Sequence, residues 1–195
     1  MHVYVVLSRS DTVLSRLIGA VTGDEYTHAA LALDPGLGLM FSFGRRRAGN
    51  PFVGCFKRER LDDDVYGRAR ELPGVVLAVP VTPAQREAVC GQLAQFLLDS
   101  HAYRYNTAGL VSALVGRGSE DDTRFFCSEF VYHVLHRAGV CDLGVPRRLV
   151  HPQTLLGVPG EVLFEGDLKA YAAAAAPAER GASLTFDRTR VRMAA

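Results

Sequence analysis

The sequence predicts an α+β fold in which an antiparallel sheet packs against helices. Residues 2–8 are rich in β-branched and aromatic side chains, which is typical of a buried strand. Two further strand segments, 26–33 and 39–43, are separated by a turn containing Pro and Gly, as in an antiparallel hairpin. Apolar residues over 83–98 and 124–139 recur at helical spacing and predict two amphipathic helices.

The remaining elements follow from the same signals. Helices are predicted over 12–22, 107–115 and 167–176, and strands over 52–58, 74–81 and 161–165. The last helix is expected to end in an alanine run before Pro177. Residues 1–176 are therefore predicted to form one domain, followed by a weakly patterned tail, 177–195, that could add an edge strand over 183–192.

Composition narrows the class of protein. The chain has 195 residues, of which 48% are hydrophobic and 22% charged, close to the averages of globular proteins. Its net charge of +1 argues against a nucleic-acid partner. No apolar run reaches the roughly 20 residues that span a bilayer, and the first residues lack the pattern of a signal peptide. We therefore expect no transmembrane segment; the oligomeric state is left open.

The cysteine pattern indicates a reducing compartment. Cys55, Cys90, Cys127 and Cys141 are widely spaced and include no CxxC pair, which predicts reduced thiols in a cytoplasmic protein. No close set of His, Cys and carboxylate residues has the spacing of a zinc site, and phosphate-loop and dinucleotide fingerprints are absent. The sequence therefore predicts neither a metal nor an organic cofactor.

Cys127 stands in the first turn of the best-patterned helix. The unpaired backbone N–H groups and the dipole of a helix start stabilise negative charge, and the thiolate is the reactive form of cysteine. Position alone leaves two interpretations open. Cys127 is either a nucleophile or a core residue, because it shares an apolar stripe with Val131 and Leu135. The other three cysteines are interpreted as structural.

A nucleophilic thiol needs a base, and His28 is the best placed of six histidines. It begins the apolar run 29–33, where a loop enters a strand, and a strand end presents a base rigidly. A histidine bonded only to backbone is the alternative. The others are terminal (His2), too far along the Cys127 helix (His133, His136), or expected to be solvated in loops (His101, His151).

The two segments together resemble a known family. The first segment is Thr27-His28-Ala29-Ala30-Leu31-Ala32-Leu33, and the second, about 100 residues later, is Phe126-Cys127-Ser128-Glu129-Phe130-Val131. Together they resemble the circularly permuted branch of the NlpC/P60 papain-like superfamily. This branch includes YiiX-like proteins and, distantly, lecithin retinol acyltransferase-like enzymes. The histidine precedes the cysteine here, which is the permuted order. The resemblance covers about residues 2–165. It implies a papain-like catalytic domain with Cys127 as nucleophile and His28 as general base.

Further site residues follow from the resemblance. Family members carry a third polar group, often a carboxylate, that orients the histidine, and Ser42 falls at that position. Asp34 or Glu59 could replace it, although a solvated carboxylate is the simpler interpretation of both. Tyr105 or Asn106, in a segment similar to the one before the family's cysteine helix, is predicted to supply or position an oxyanion donor beside the Cys127 N–H.

These residues predict a thiol hydrolase that cleaves an amide, as a peptidase or amidase, through an acyl-enzyme. A lipid or N-acyl transferase or esterase of the same fold is the alternative, and a catalytically silent binding module is another. The expected partner is a small peptide, amide or lipid-like substrate. An anionic substrate would fit if the basic residues converge beside the site, rather than forming a solvated face: Arg45, Arg46, Arg47, Lys57, Arg58, Arg60, Arg147 and Arg148.

Overall fold

A computed structural model describes residues 1–9, 23–47, 50–62, 64–67, 69–105 and 123–179. The helices predicted over 12–22 and 107–115, the edge strand predicted over 183–192, and Asn106 lie outside these ranges. The side chains of Arg45, Arg46, Arg47, Arg104 and Tyr105 also lie outside what is described.

A six-stranded antiparallel sheet forms the centre of this mixed α+β domain. Its strands are β1 (His2–Ser8), β2 (His28–Ala32), β3 (Met40–Arg47), β4 (Asn50–Glu59), β5 (Pro73–Pro80) and β8 (Glu161–Asp167), in the order β4-β3-β2-β1-β5-β8. The two-residue strands β6 (Arg104–Tyr105) and β7 (Arg124–Phe125) pair in parallel. β2 and β3 pair in antiparallel fashion across the Pro35-containing turn, which confirms the predicted hairpin.

Helices cover both faces of the sheet. They are α1 (Asp64–Gly67), α2 (Pro83–Leu98), α3 (Cys127–Arg137) and α4 (Leu168–Glu179), with 3-10 turns at Arg147–Leu149 and Gln153–Gly157. The larger apolar cluster joins α2 and α3 to residues such as Leu31 and Phe43. A smaller cluster on alternate strand positions includes Ala30, Tyr66 of α1 and Leu168 of α4. Alternation along the strands therefore separates two cores, one on each face.

The helix boundaries follow from local chemistry. Thr82 and Gln85 form a reciprocal capping box at the start of α2, where Gln85 N–H donates to Thr82 Oγ1 at 3.2 Å and Thr82 N–H to Gln85 Oε1 at 2.9 Å. Gly139, with a φ of 66°, follows the end of α3. The predicted end of the last helix before Pro177 is wrong, because α4 continues to Glu179 and crosses the expected domain boundary. Within the described ranges, none of the helices has the length and apolar character that crossing a membrane requires.

Candidate active site

Cys127 is the first residue of α3, and its helix start is fixed by two buried neighbours. The Glu129 carboxylate accepts from the Phe126 N–H at 3.0 Å, and Ser128 Oγ donates to the Val150 carbonyl at 2.6 Å. Cys127 itself is 7% exposed and belongs to the larger apolar cluster. The thiol is therefore held at the end of a helix where free backbone N–H groups favour an anion.

His28 is the first residue of β2, opposite Ser8 of β1. Its Nε2 lies 3.0 Å from Glu59 Oε2, and the ring also interacts with the Cys127 side chain. Burial alone would lower the pKa of His28. The Glu59 carboxylate, and after it Cys127, outweigh burial and raise that pKa from 6.5 to about 10. At neutral pH His28 is therefore an imidazolium between a thiol and a carboxylate.

Glu59, at the end of β4, is the buried partner of this imidazolium. Its side chain is only 2% exposed and receives three groups: His28 Nε2, the Tyr66 hydroxyl at 3.0 Å from Oε2, and Lys57 Nζ at 3.7 Å from Oε1. Burial would raise the pKa of Glu59, but attraction to His28 and then to Lys57 lowers it. The interpretation of Glu59 as a solvated carboxylate is wrong.

Gly44 of β3 leaves the space that Glu59 occupies. A Cβ at this position would come within 2.8 Å of Glu59 Oε1 and 2.9 Å of Lys57 Cε. Such distances are below van der Waals contact, so any larger residue would displace the carboxylate or the lysine. The glycine is thus part of the reason why Glu59 can approach His28.

Two alternatives for the third residue are not supported by the structure. Ser42 is fully buried, and its Oγ has no well-aligned hydrogen-bond partner; it contributes only a small part of the lowering of the Glu59 pKa. The carboxylate that contacts the His28 ring is that of Glu59, at Nε2. Asp34 instead accepts from the N–H groups of Gly38 and Leu39 at 2.8 and 2.6 Å, which stabilises the β2–β3 turn.

The predicted substrate-binding residues remain untested. Tyr105 lies in β6, beside β7, which ends two residues before Cys127. Its side chain and the whole of Asn106 lie outside the described residues. Either residue therefore remains a prediction as an oxyanion donor.

The described basic side chains do not converge on Cys127. Lys57 lies beside Glu59, but Arg58 donates to the Gly38 carbonyl and Arg60 pairs with Asp62. Arg147 lies 3.2 Å from His133 Nδ1 and 4.8 Å from the centroid of the Phe125 ring. The contacts of these described side chains thus provide no basis for inferring an anionic substrate.

His151 is the histidine whose environment differs most from expectation. The sequence predicts it to be solvated, yet its side chain is half-buried and its Nδ1 lies 3.2 Å from Asp24 Oδ2. The next two residues lead to Gln153, whose Oε1 accepts from the Tyr26 N–H at 3.2 Å. This segment therefore contacts the loop that leads into His28.

Sequence reasoning missed Tyr66, the second hydrogen-bond donor to Glu59. Burial, followed by the Glu59 charge, raises the pKa of Tyr66 well above 10, so the hydroxyl keeps its proton and donates it. No motif marks Tyr66, because it lies in a single helical turn. Glu59 was one of the predicted alternatives for the third residue, but its burial becomes evident only from the pairing of β4 with β3, where it stands opposite buried Met40.

Comparison with protein-family models, with curated proteins and with solved structures found no match. Kinship with the permuted NlpC/P60 branch therefore remains a prediction from two motifs. Among the described residues, no three His, Cys, Asp or Glu side chains gather as they would around a metal ion.

Proposed function

We propose that this protein is a cysteine hydrolase that cleaves an amide bond with Cys127 as nucleophile, His28 as proton carrier and Glu59 as the orienting carboxylate. The observation that carries the proposal is the position of half-buried His28, whose ring lies 3.0 Å from the Glu59 carboxylate and also interacts with the Cys127 side chain. A thiol, an imidazole and a third orienting group are the components of an activated nucleophile.

The chemistry follows from where the proton resides. With Nε2 bonded to Glu59, Nδ1 is the ring nitrogen left for the sulfur. The Cys127 thiolate attacks the substrate carbonyl, and the new oxyanion is met by the Cys127 backbone N–H at the helix start. His28 then donates its proton to the departing amine, leaving an acyl-enzyme. Water attacks the thioester while His28 takes a proton from it, which releases the carboxylic acid and restores the thiolate–imidazolium pair.

The proposal of a permuted papain-like fold rests on the order of the two site elements along the chain as well as on the Cys127–His28 pair. The His28 strand precedes the Cys127 helix in the chain, and α3 packs against β2 and β3 of an antiparallel sheet. These features fit the fold that the two motifs imply. The four cysteines are free thiols, which suits the reducing cytoplasm that their spacing predicts.

The decisive experiment is site-resolved alkylation. At pH 6, iodoacetamide should modify Cys127 at least about tenfold faster than Cys90 and Cys141 in the native protein, because thiolate fraction controls the rate. His28→Ala should remove the difference, and His28→Gln, which keeps a donor toward Glu59 but cannot titrate, should remove it as well. Peptide mapping by mass spectrometry measures each site.

Equal alkylation rates at Cys127, Cys90 and Cys141 would sink the activated-nucleophile proposal and favour a silent binding module. Incubation with p-nitrophenyl acetate separates the two enzymatic hypotheses within the same sample. A hydrolase releases nitrophenol with turnover in water alone. An acyl-Cys127 adduct that persists until an amine or alcohol acceptor is added would instead identify an acyltransferase.

A further inference from the structure

His28 stands at a weakly supported end of β2. The register between β2 and β3 pairs only Leu31 with Phe41 and Ala32 with Met40. On the other side, β1 holds this end through the pairing of Ser8 with His28 and through the Thr27 N–H, which donates to the Ser8 carbonyl at 3.0 Å. The sheet therefore holds the His28 end of β2 from one side only.

The segment 150–153 supplies contacts to the loop that enters this end of β2. The Tyr26 N–H donates to Gln153 Oε1 at 3.2 Å, two residues before His28. The His151 Nδ1–H donates to Asp24 Oδ2 at 3.2 Å, four residues before His28. Asp24 and His151 are both half-buried, with exposed side-chain fractions of 15% and 28%.

The same segment is tied to the nucleophile helix. Ser128, the residue after Cys127, donates its hydroxyl hydrogen to the Val150 carbonyl at 2.6 Å, and Val150 is fully buried. Three hydrogen bonds thus run from residue 128 through 150–153 to residues 24 and 26. They connect two functional side chains that lie about 100 residues apart in the sequence.

We propose that residues 150–153 form a clamp that sets the position of His28 relative to Cys127, with His151 and Gln153 as positioning residues. The proposal deepens the proposed function, since the dyad that the clamp aligns is the one assigned to catalysis. Small displacements between a nucleophile and its proton carrier cost about two orders of magnitude in rate per ångström, so loss of the clamp has a kinetic signature.

Two alanine variants, His151→Ala and Gln153→Ala, test the clamp by alkylation of Cys127 across pH 5–10. Each should lower the rate at pH 6 by about tenfold and move the pH profile toward that of an unpaired thiol. His151→Asn places an amide N–H near the position of Nδ1 and should keep the rate within about threefold of wild type. Leu156→Ala, at an exposed site in the same 3-10 turn, is the matched control and should change nothing.

A purely structural role predicts a different result, namely a lower melting temperature with an unchanged pH profile. That outcome would overturn the clamp, as would equal losses in His151→Asn and His151→Ala.

A second readout separates failure of the clamp from failure of the proposed function. The titration of the His28 ring, followed by NMR with labelled histidine, depends on its contact with Cys127 whether or not the thiol is catalytic. Clamp variants should shift the His28 midpoint in the direction that Cys127→Ala shifts it. An unchanged midpoint would contradict the clamp. Slow alkylation of Cys127 in wild type, with the midpoint shift present, would contradict only the hydrolase.

Discussion

The two ends of α3 present a cysteine in opposite electrostatic settings. Cys127 begins the helix, where backbone N–H groups are unpaired and the His28 imidazolium is in contact. Cys141 lies four residues beyond the helix end and next to Asp142, and burial followed by that carboxylate raises its pKa to about 11. The two cysteines thus differ in the sign of the charge beside the thiol.

The comparison shows that the two thiols differ in the charge of their neighbour as well as in burial. Cys127 is buried, whereas Cys141 is only half-buried. The sign of the adjacent charge also differs: an imidazolium held by Glu59 at one end and an exposed carboxylate at the other. Changing those neighbours should therefore change the contrast in reactivity.

Glu59→Gln is expected to reduce the difference in alkylation rate between Cys127 and Cys141 the most. The amide fills the same space and still accepts a hydrogen bond, but it removes the charge that contributes most to raising the His28 pKa. His28 should then lose its proton near neutral pH, and Cys127 alkylation at pH 6 should fall by about tenfold or more toward the Cys141 rate. Site-resolved alkylation measures both rates in one sample.

Tyr66→Phe is the matched control for that change, because it removes a donor to Glu59 without removing charge. Its effect on the Cys127 rate should be clearly smaller. Equal effects of the two substitutions would mean that hydrogen bonding, and not the carboxylate charge, sustains the imidazolium.

The His28–Glu59 charge pair is also expected to make the stability of the folded protein depend on pH, which is a smaller effect. The folded-state pKa of His28, about 10, exceeds its ordinary value of 6.5. Its contribution to the free energy of unfolding is therefore fully present below pH 6.5 and is lost as the pH rises through 10. The loss should be on the order of a few kcal/mol, since one pKa unit corresponds to about 1.4 kcal/mol.

Urea unfolding at pH 6, 8 and 10 measures this loss against His28→Gln, which cannot titrate at that position. The wild-type advantage should shrink steadily across the interval. A constant difference between the two proteins over pH 6–10 would show that His28 is not held as an imidazolium. Glu59 acts in the opposite direction, because its lowered pKa makes its contribution disappear only as the pH falls below 4.5.

Much of the fold was predictable because periodicity reports burial. Apolar, β-branched runs predicted β1 and β5, the turn containing Pro and Gly predicted the β2–β3 hairpin, and the helical period predicted α2 and α3 within a few residues. The end of α4 was not predicted correctly, because the prediction relied on the local helix propensity of proline, which is unfavourable at Pro177, whereas α4 continues to Glu179.

The sequence singles out the first two members of the candidate site and leaves three alternatives for the third, Ser42, Asp34 and Glu59. Cys127 and His28 carry local signals, a helix start and a strand start. Glu59 and Tyr66 are selected by contacts across the sheet, between β4 and α1, which no spacing in the sequence specifies. Ser42 occupies the predicted strand, but its hydroxyl does not reach His28, whereas a longer side chain from the neighbouring strand does.

The smallest effect is expected from a change beside Cys141, beyond the C-terminal end of α3. Asp142→Asn removes the negative charge beside Cys141 and should lower the pKa of that thiol, although burial, the larger cause, remains. Alkylation of Cys141 at pH 9 should therefore rise by only about two- to threefold, while Cys127 is unaffected. The Tyr132 hydroxyl and the Gly144 N–H can still donate to the amide oxygen of the new Asn side chain, so the loop should keep its shape.

The contradicting outcome is a gain in the Cys141 alkylation rate as large as the loss in the Cys127 rate in Glu59→Gln. It would mean that an exposed charge affects a neighbouring thiol as strongly as a buried charge does. The buried Glu59 charge should instead have the larger effect, because solvent screens the exposed carboxylate of Asp142.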